Sequence, residues 1–200
     1  MERIAMFGGS FNPVHNAHIL LTRRVAEELS LDKIIAVPTY FTPLKDNGPM
    51  ISAEHRLNMC RLAWKEDKTV TVDDIEIRRG GKSYTSDTLR EFADRYKNAE
   101  LFLITGADMF MTMQDWHKPE EIFSLANIVT VPRDEKAYPL LIKQAEKLSE
   151  LGARCTVLKE PVMQLSSTVI REKLETRQSV KDLIPDSVIS YISAHNLYTG

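Results

Sequence analysis

The stretch Ile4-Ala5-Met6-Phe7-Gly8-Gly9-Ser10-Phe11-Asn12-Pro13-Val14-His15-Asn16-Ala17-His18 runs from an apolar strand through two glycines into a helix. Gly8 and Gly9 permit close backbone approach and unusual dihedrals, as a phosphate-cradling loop requires. The helix is expected to begin near Asn16 or Ala17, so its free N–H groups and positive dipole end face the same space. His15 and His18 are three residues apart and can project to one side. Two imidazoles beside free amides make an anion site, whereas a metal site would want a third ligand nearby. The stretch lacks the Gly-Lys-Ser/Thr ending of a P-loop and the three spaced glycines of the dinucleotide fingerprint.

Outward from this stretch, short apolar runs predict strands at Ile4–Phe7, Lys33–Val37, Val70–Val72, Leu101–Thr105, Ile128–Val131 and Thr156–Leu158. They are nearly continuous in apolar residues, as strands covered on both faces should be. Helical patterns fill the intervals: Ala17–Leu29, a helix capped by Ser52 and running to about Lys65, then Thr88–Tyr96, Leu140–Leu151 and Ser187–Ala194. This alternation argues for a parallel sheet with helices on both faces. In such sheets ligands bind beyond the carboxyl ends of the strands, where the strand order reverses. No repeat, low-complexity tract or long linker divides the 200 residues. One domain over residues 1–200 is expected, with the helical part from about residue 166 packing on it.

Charged residues make up 27% of the chain and the formal net charge is -2, so no general nucleic-acid footprint is visible. A small anionic ligand needs only a local positive site. Cys60 and Cys155 have no metal spacing and read as reduced thiols of a cytoplasmic protein. The amino terminus does not read as a signal peptide, and no stretch approaches the ~18 apolar residues of a membrane span.

Near the other end lies Leu165-Ser166-Ser167-Thr168-Val169-Ile170-Arg171. Ser167 is expected to cap a helix. Ser166, Thr168 and Arg171, one turn in, supply hydroxyls, amides and a guanidinium suited to the β- and γ-phosphates of a nucleotide. Both motifs should therefore converge on one triphosphate.

The first motif resembles the signature of the nucleotidyltransferase superfamily, whose paired histidines hold ATP phosphates, with Ala17 where Gly is usual. The second resembles that superfamily's Ser-Ser/Thr-Thr-x-Ile-Arg segment. Between them lie Pro38-Thr39-Tyr40-Phe41-Thr42-Pro43-Leu44-Lys45, Gly81-Lys82-Ser83-Tyr84-Thr85-Ser86-Asp87-Thr88-Leu89, Thr105-Gly106-Ala107-Asp108, Trp116 and Val131-Pro132-Arg133. With Val188-Ile189-Ser190-Tyr191-Ile192, this ordered set resembles the bacterial nicotinate-nucleotide adenylyltransferases over essentially the full length. Leu44 stands where that family often has His.

The resemblance implies a Rossmann-like doubly wound α/β fold and transfer of AMP from ATP to nicotinic acid mononucleotide. It implies an ATP site of Gly8, Gly9, Ser10, Phe11, His15, His18, Gly106, Asp108, Arg133, Ser166, Ser167, Thr168 and Arg171. Gly106 would let the nucleotide lie close to the strand end, Asp108 would bind a ribose hydroxyl, and Arg133 would sit on the adenosine side. Trp116 would stack on the pyridine ring, Tyr84 and Thr85 would hold the nicotinate end, and Lys45 would reach toward phosphate. His15, His18, Lys45 and Arg171 would carry the charge stabilisation. Mg2+ would arrive with ATP, without a dedicated protein cage.

Arg78-Arg79-Gly80-Gly81-Lys82 reads as a solvated turn and Asp73-Asp74 as a strand-end turn, while His55, His117 and His195 show no supporting partners in sequence. Rival readings are a sister enzyme acting on phosphopantetheine or nicotinamide mononucleotide, a silent nucleotide-binding regulator, and an NAD-dependent oxidoreductase. Side chains do not separate nicotinate from nicotinamide, because backbone amides can read the carboxylate. A homo-oligomer stays open.

Overall fold

The computed structural model describes residues 1–41, 50–163 and 165–199. Six strands form one sheet: β1 (Glu2–Gly9), β2 (Lys33–Pro38), β3 (Val70–Val72), β4 (Ala99–Gly106), β5 (Asn127–Val131) and β6 (Arg154–Val157). Their order is β3-β2-β1-β4-β5-β6, and every pairing is parallel. The order reverses between β1 and β4, whose register pairs Phe7 with Ile104. All carboxyl ends lie on one edge, so the loop after β1 and the loop after β4 flank the crevice such a sheet offers to ligands.

Strand alternation sorts the core into two layers. Ala5, Phe7, Ile34, Ala36, Phe102, Ile104, Val129 and Val131 face one cluster, while Ile4, Met6, Ile35, Val37, Leu101, Leu103 and Ile128 face the other. The first layer is closed by α1 (Asn16–Leu29), α2 (Ala53–Ala63), α8 (Ser167–Glu175) and α9 (Asp186–Ala194), through Val25, Met59, Cys60, Ile170, Val188 and Ile192. The second is closed by α3 (Ile75–Arg79), α4 (Thr85–Arg95), α5 (Ala107–Phe110), α6 (Pro119–Leu125) and α7 (Ala137–Glu150), through Ile75, Leu89, Phe92, Phe110, Ile122, Leu141 and Leu148. The result is the Rossmann-like doubly wound α/β arrangement expected from the alternation. The residues after 166 share the first core with β1 and β4.

The structure departs from the sequence reading in several places. Arg78 and Arg79 end the short helix α3 and are not a solvated turn. Arg78 Nε pairs with Asp74 (2.6 Å) and Arg79 Nη1 with Glu91 (2.6 Å). Asp73 and Asp74 form the turn at the end of β3, as read, and Asp73 accepts from the Ile75 amide (2.9 Å) and from Arg95 (2.5 Å), which ties the turn to α4. The helices α3, α5 and α6 run five, four and seven residues, too short to show a full apolar period in sequence. The three histidines without sequence partners all have them: His55 bonds Tyr191 (3.0 Å), His195 stacks on Tyr191 and His117 stacks on Tyr84. Cys60 and Cys155 are free, and burial raises both thiols, Cys155 to about 11.

Within the first core the Trp64 indole N–H donates to the Thr22 hydroxyl (3.2 Å), and both residues are buried. Replacing Thr22→Val keeps the shape and leaves that N–H without an acceptor, at a cost of ~1–3 kcal/mol. A urea unfolding curve of Thr22→Val is expected to show that loss as a lower midpoint at unchanged slope.

Candidate active site

The first loop does not work as the glycines suggested. Gly8 and Gly9 are the last residues of β1, and neither takes a left-handed backbone. Gly9 lies in tight space, because a Cβ there would sit 3.1 Å from the Phe11 ring and the ring would have to give by a few tenths of an ångström. The positive φ falls on Phe11 itself, at 46°. Its ring is buried against Phe7, His18 and Trp64, with centroids 5.4, 5.1 and 5.7 Å away. Phe11 is thus a core side chain that anchors the loop, which leaves only its backbone for a nucleotide.

His15 is the residue just before α1, with extended backbone, and His18 lies in the first turn. Their rings stack at 3.6 Å and 14°. The His15 amide donates to His18 Nδ1 (3.2 Å), which places the proton of a neutral His18 ring on Nε2. His15 is 4% exposed, and burial pushes its pKa down to about 4. At neutral pH His15 is therefore uncharged and offers a ring N–H or lone pair. That corrects the expectation that both imidazoles supply positive charge.

The carboxy-terminal motif closes on this loop. Ser166, and not Ser167, caps α8, its hydroxyl accepting from the Thr168 amide (3.2 Å). Ser167 is freed to donate to the Pro13 carbonyl (3.0 Å). Arg171 donates to the Asn12 carbonyl (2.9 Å) and to the Thr168 hydroxyl (3.2 Å). Tyr198 donates to Asn12 Oδ1 (2.7 Å), and the Asn16 amide donates to the Leu183 carbonyl (2.9 Å). The amide-bearing starts of α1 and α8 thus meet at one loop.

At the end of β4, Gly106 has nothing within 4 Å of where a Cβ would be, so the space above it is open. Asp108 and Arg133 pair with each other across β4 and β5. Both are more than half exposed, so the pair contributes little to stability. A cavity of about 290 Å³ is lined by Ser83, Tyr84, Thr85, Asp115, Trp116, His117 and Ile122. Tyr84, Thr85 and Trp116 are therefore brought together, with the His117 ring stacked on Tyr84 at 4.1 Å. Lys45 lies outside the described residues.

Two buried charged residues were missed in sequence. Arg56 is wholly buried in α2, and Glu76 is 2% exposed in α3, where it accepts from the Thr88 hydroxyl (2.7 Å). Burial lowers the pKa of the first and raises that of the second. The signal for Arg56 is its place on the same stripe as Met59 and Cys60, three and four residues on. Among the described residues, the buried side-chain polar atoms without a partner are Asn12 Nδ2, His15 Nδ1, Thr39 Oγ1, Glu76 Oε2 and Ser86 Oγ. Asn12 and His15 belong to the first loop, Thr39 bonds Gly9 through its amide, and Glu76 and Ser86 lie in α3 and α4.

The His15 shift carries a pH dependence. The unfolded ring takes a proton at about pH 6.5, and the folded ring resists it until about pH 4. Stability of the ligand-free protein is expected to fall across that window, by roughly 3 kcal/mol in full. Thermal melts from pH 7.5 to pH 4 are expected to show the decline, and His15→Asn is expected to flatten it.

Residues 6–173 match the family described as Cytidylyltransferase-like. The "probable nicotinate-nucleotide adenylyltransferase" of Lachnoclostridium phytofermentans is 33% identical over 99% of this chain and 100% of its own length. Its namesake in Dehalococcoides mccartyi is 36% identical over 98% of this chain and 97% of its own. Among solved structures, the Plasmodium falciparum nicotinic acid mononucleotide adenylyltransferase complexed with NaAD superposes with a TM-score of 0.78. It covers 99% of this chain and 98% of that one at 19% identity, a likeness of fold. The family match over most of the chain and the full-length relatives at this identity together show that the chain belongs to the cytidylyltransferase-like nucleotidyltransferases, among the nicotinate-nucleotide adenylyltransferases.

Proposed function

We propose that this chain transfers AMP from ATP to nicotinic acid mononucleotide, giving nicotinic acid adenine dinucleotide and pyrophosphate in NAD biosynthesis. The observation that carries the reading is the closure of the Ser167–Arg171 motif on the Asn12 and Pro13 carbonyls beside the stacked His15–His18 pair. It gathers two helix starts, an imidazole N–H and a guanidinium at the sheet edge where the strand order reverses. The names of the full-length relatives supply the acceptor, and the aromatic cavity of Tyr84, Trp116 and His117 suits a flat pyridine ring.

The acceptor is a phosphate monoester, largely dianionic near neutral pH, so no general base is needed. Its oxygen attacks the α-phosphorus in line, the bond to the β-phosphate oxygen breaks, and the electron pair leaves with pyrophosphate. Catalysis is then positioning plus stabilisation of charge on the leaving group. His18 Nε2–H, the amides at the starts of α1 and α8, and Arg171 are the groups assigned to that charge. Asp108 and Arg133 are assigned to the ribose and adenosine side, with Gly106 giving room. Lys45 keeps its assignment to the acceptor phosphate from sequence alone. We assign Mg2+ to the phosphates of the incoming ATP, where it would keep most of its water ligands. No helix among the described residues is long and apolar enough to cross a membrane, and the reading places the reaction in the cytoplasm.

Pyrophosphate release from ATP, with nicotinate and nicotinamide mononucleotides supplied in turn, tests the function. Turnover with the nicotinate form is expected, and no turnover with either sinks the reading. His18→Ala is expected to lower kcat by about a hundredfold or more while KM for ATP changes little. A kcat within a few-fold of wild type would remove His18 from charge stabilisation. Trp116→Ala is expected to raise KM for the mononucleotide by about tenfold and leave that for ATP unchanged. Equal rises in both would take Trp116 out of the pyridine cavity.

A further inference from the structure

Among the described residues Arg56 is the largest wholly buried side chain, and no carboxylate there forms an ion pair with it. Its guanidinium instead donates to three main-chain carbonyls: Ser10 (2.7 Å), Tyr40 (3.3 Å) and Ile51 (3.3 Å). Ser10 belongs to the loop that carries the imidazole pair. Tyr40 lies just beyond β2, and its peptide is held from both sides. Its carbonyl accepts from Arg56, while its N–H donates to the Ser83 hydroxyl (3.0 Å). The Ser83 amide in turn donates to the Phe41 carbonyl (2.8 Å), and the next residue is Tyr84 of the acceptor cavity. A path of partly buried polar contacts thus runs from Ser10 through one guanidinium and one peptide to Ser83.

We propose that Arg56 is a positioning residue that fixes the spacing between the ATP loop and the acceptor cavity, acting through the Tyr40 peptide. The inference rests on the adenylyl-transfer reading above. The chemistry explains why such a strut matters. With no general base and no covalent intermediate, the rate depends on holding the acceptor oxygen in line with the α-phosphorus. A displacement of about 1 Å far from the reacting atoms can cost on the order of a hundredfold. The choice of arginine follows from the same geometry. A planar fork with five donors spans three carbonyls in fixed directions, which a lysine ammonium on a flexible stem does not. Burying a cation without a carboxylate is costly, so plain packing would favour an apolar residue here.

Wild-type turnover of ATP with nicotinic acid mononucleotide is measured first, and its absence sinks the functional reading itself. Given that turnover, Arg56→Lys is expected to lower kcat roughly thirtyfold or more with both KM values within about threefold. Ser83→Ala breaks the same path on its far side and is expected to lower kcat by about fivefold or more. In the double variant the two losses are expected not to multiply, kcat staying within about threefold of Arg56→Lys alone. The proposal is overturned by any one of three results: kcat of Arg56→Lys within threefold of wild type, losses that multiply, or a loss confined to KM for ATP. If Arg56→Lys gives no cooperative melt, Ser83→Ala decides alone, and an unchanged kcat there overturns it.

Discussion

The docking of the last helical segment onto the loop after β1 is the constraint on which the site depends. A loop between a strand and a helix leaves its carbonyls without secondary-structure partners, and buried carbonyls must find donors elsewhere. Asn12 and Pro13 find them in Arg171 and Ser167, some 155 positions along the chain. The Asn12 side chain is held as well, by the Tyr198 hydroxyl. Those bonds turn a flexible connection into a fixed wall. They also set the start of α8 beside the start of α1, so two sets of free amides address one volume.

Positive charge is distributed around this volume in an uneven way. His15 sits at the lip of α1 but is kept neutral by burial, while Arg56 keeps its proton despite burial because its intrinsic affinity is so high. A site that brings two phosphates together needs field more than it needs counterions in contact. In the proposed reaction, backbone amides, a buried guanidinium behind the loop and a neutral imidazole N–H would provide that field. The Asp108–Arg133 pair is exposed.

Much of this was legible in sequence, for reasons that differ from place to place. The six strands were readable because buried parallel strands are nearly continuous apolar runs, and Val70–Val72 was placed to the residue. The convergence of the two motifs was readable from their pairing, and Ser167 and Arg171 do close on the Pro13 and Asn12 carbonyls. The positive φ was misplaced onto the glycines, because sequence shows which residues tolerate a dihedral but not which residue tertiary packing forces into it. At Phe11 the packing of an aromatic ring against Phe7 and Trp64 outweighed the local preference. Arg56 and Glu76 stayed hidden because an isolated charged residue on a short helix reads as solvated. Only the fold reveals that Ser10, Tyr40 and Ile51 converge on one of them.

The order in which the chain is synthesised gives the docking a further meaning. The imidazole pair leaves the ribosome well before Ser167, Arg171 and Tyr198. A polypeptide cut short before Ser166 carries His15 and His18 but lacks the donors for Asn12 and Pro13. All six strands of its sheet would be present, yet the loop after β1 would lack one of its walls. The walls of this loop are thereby completed only when residues 166–198 have emerged, through the hydrogen bonds themselves.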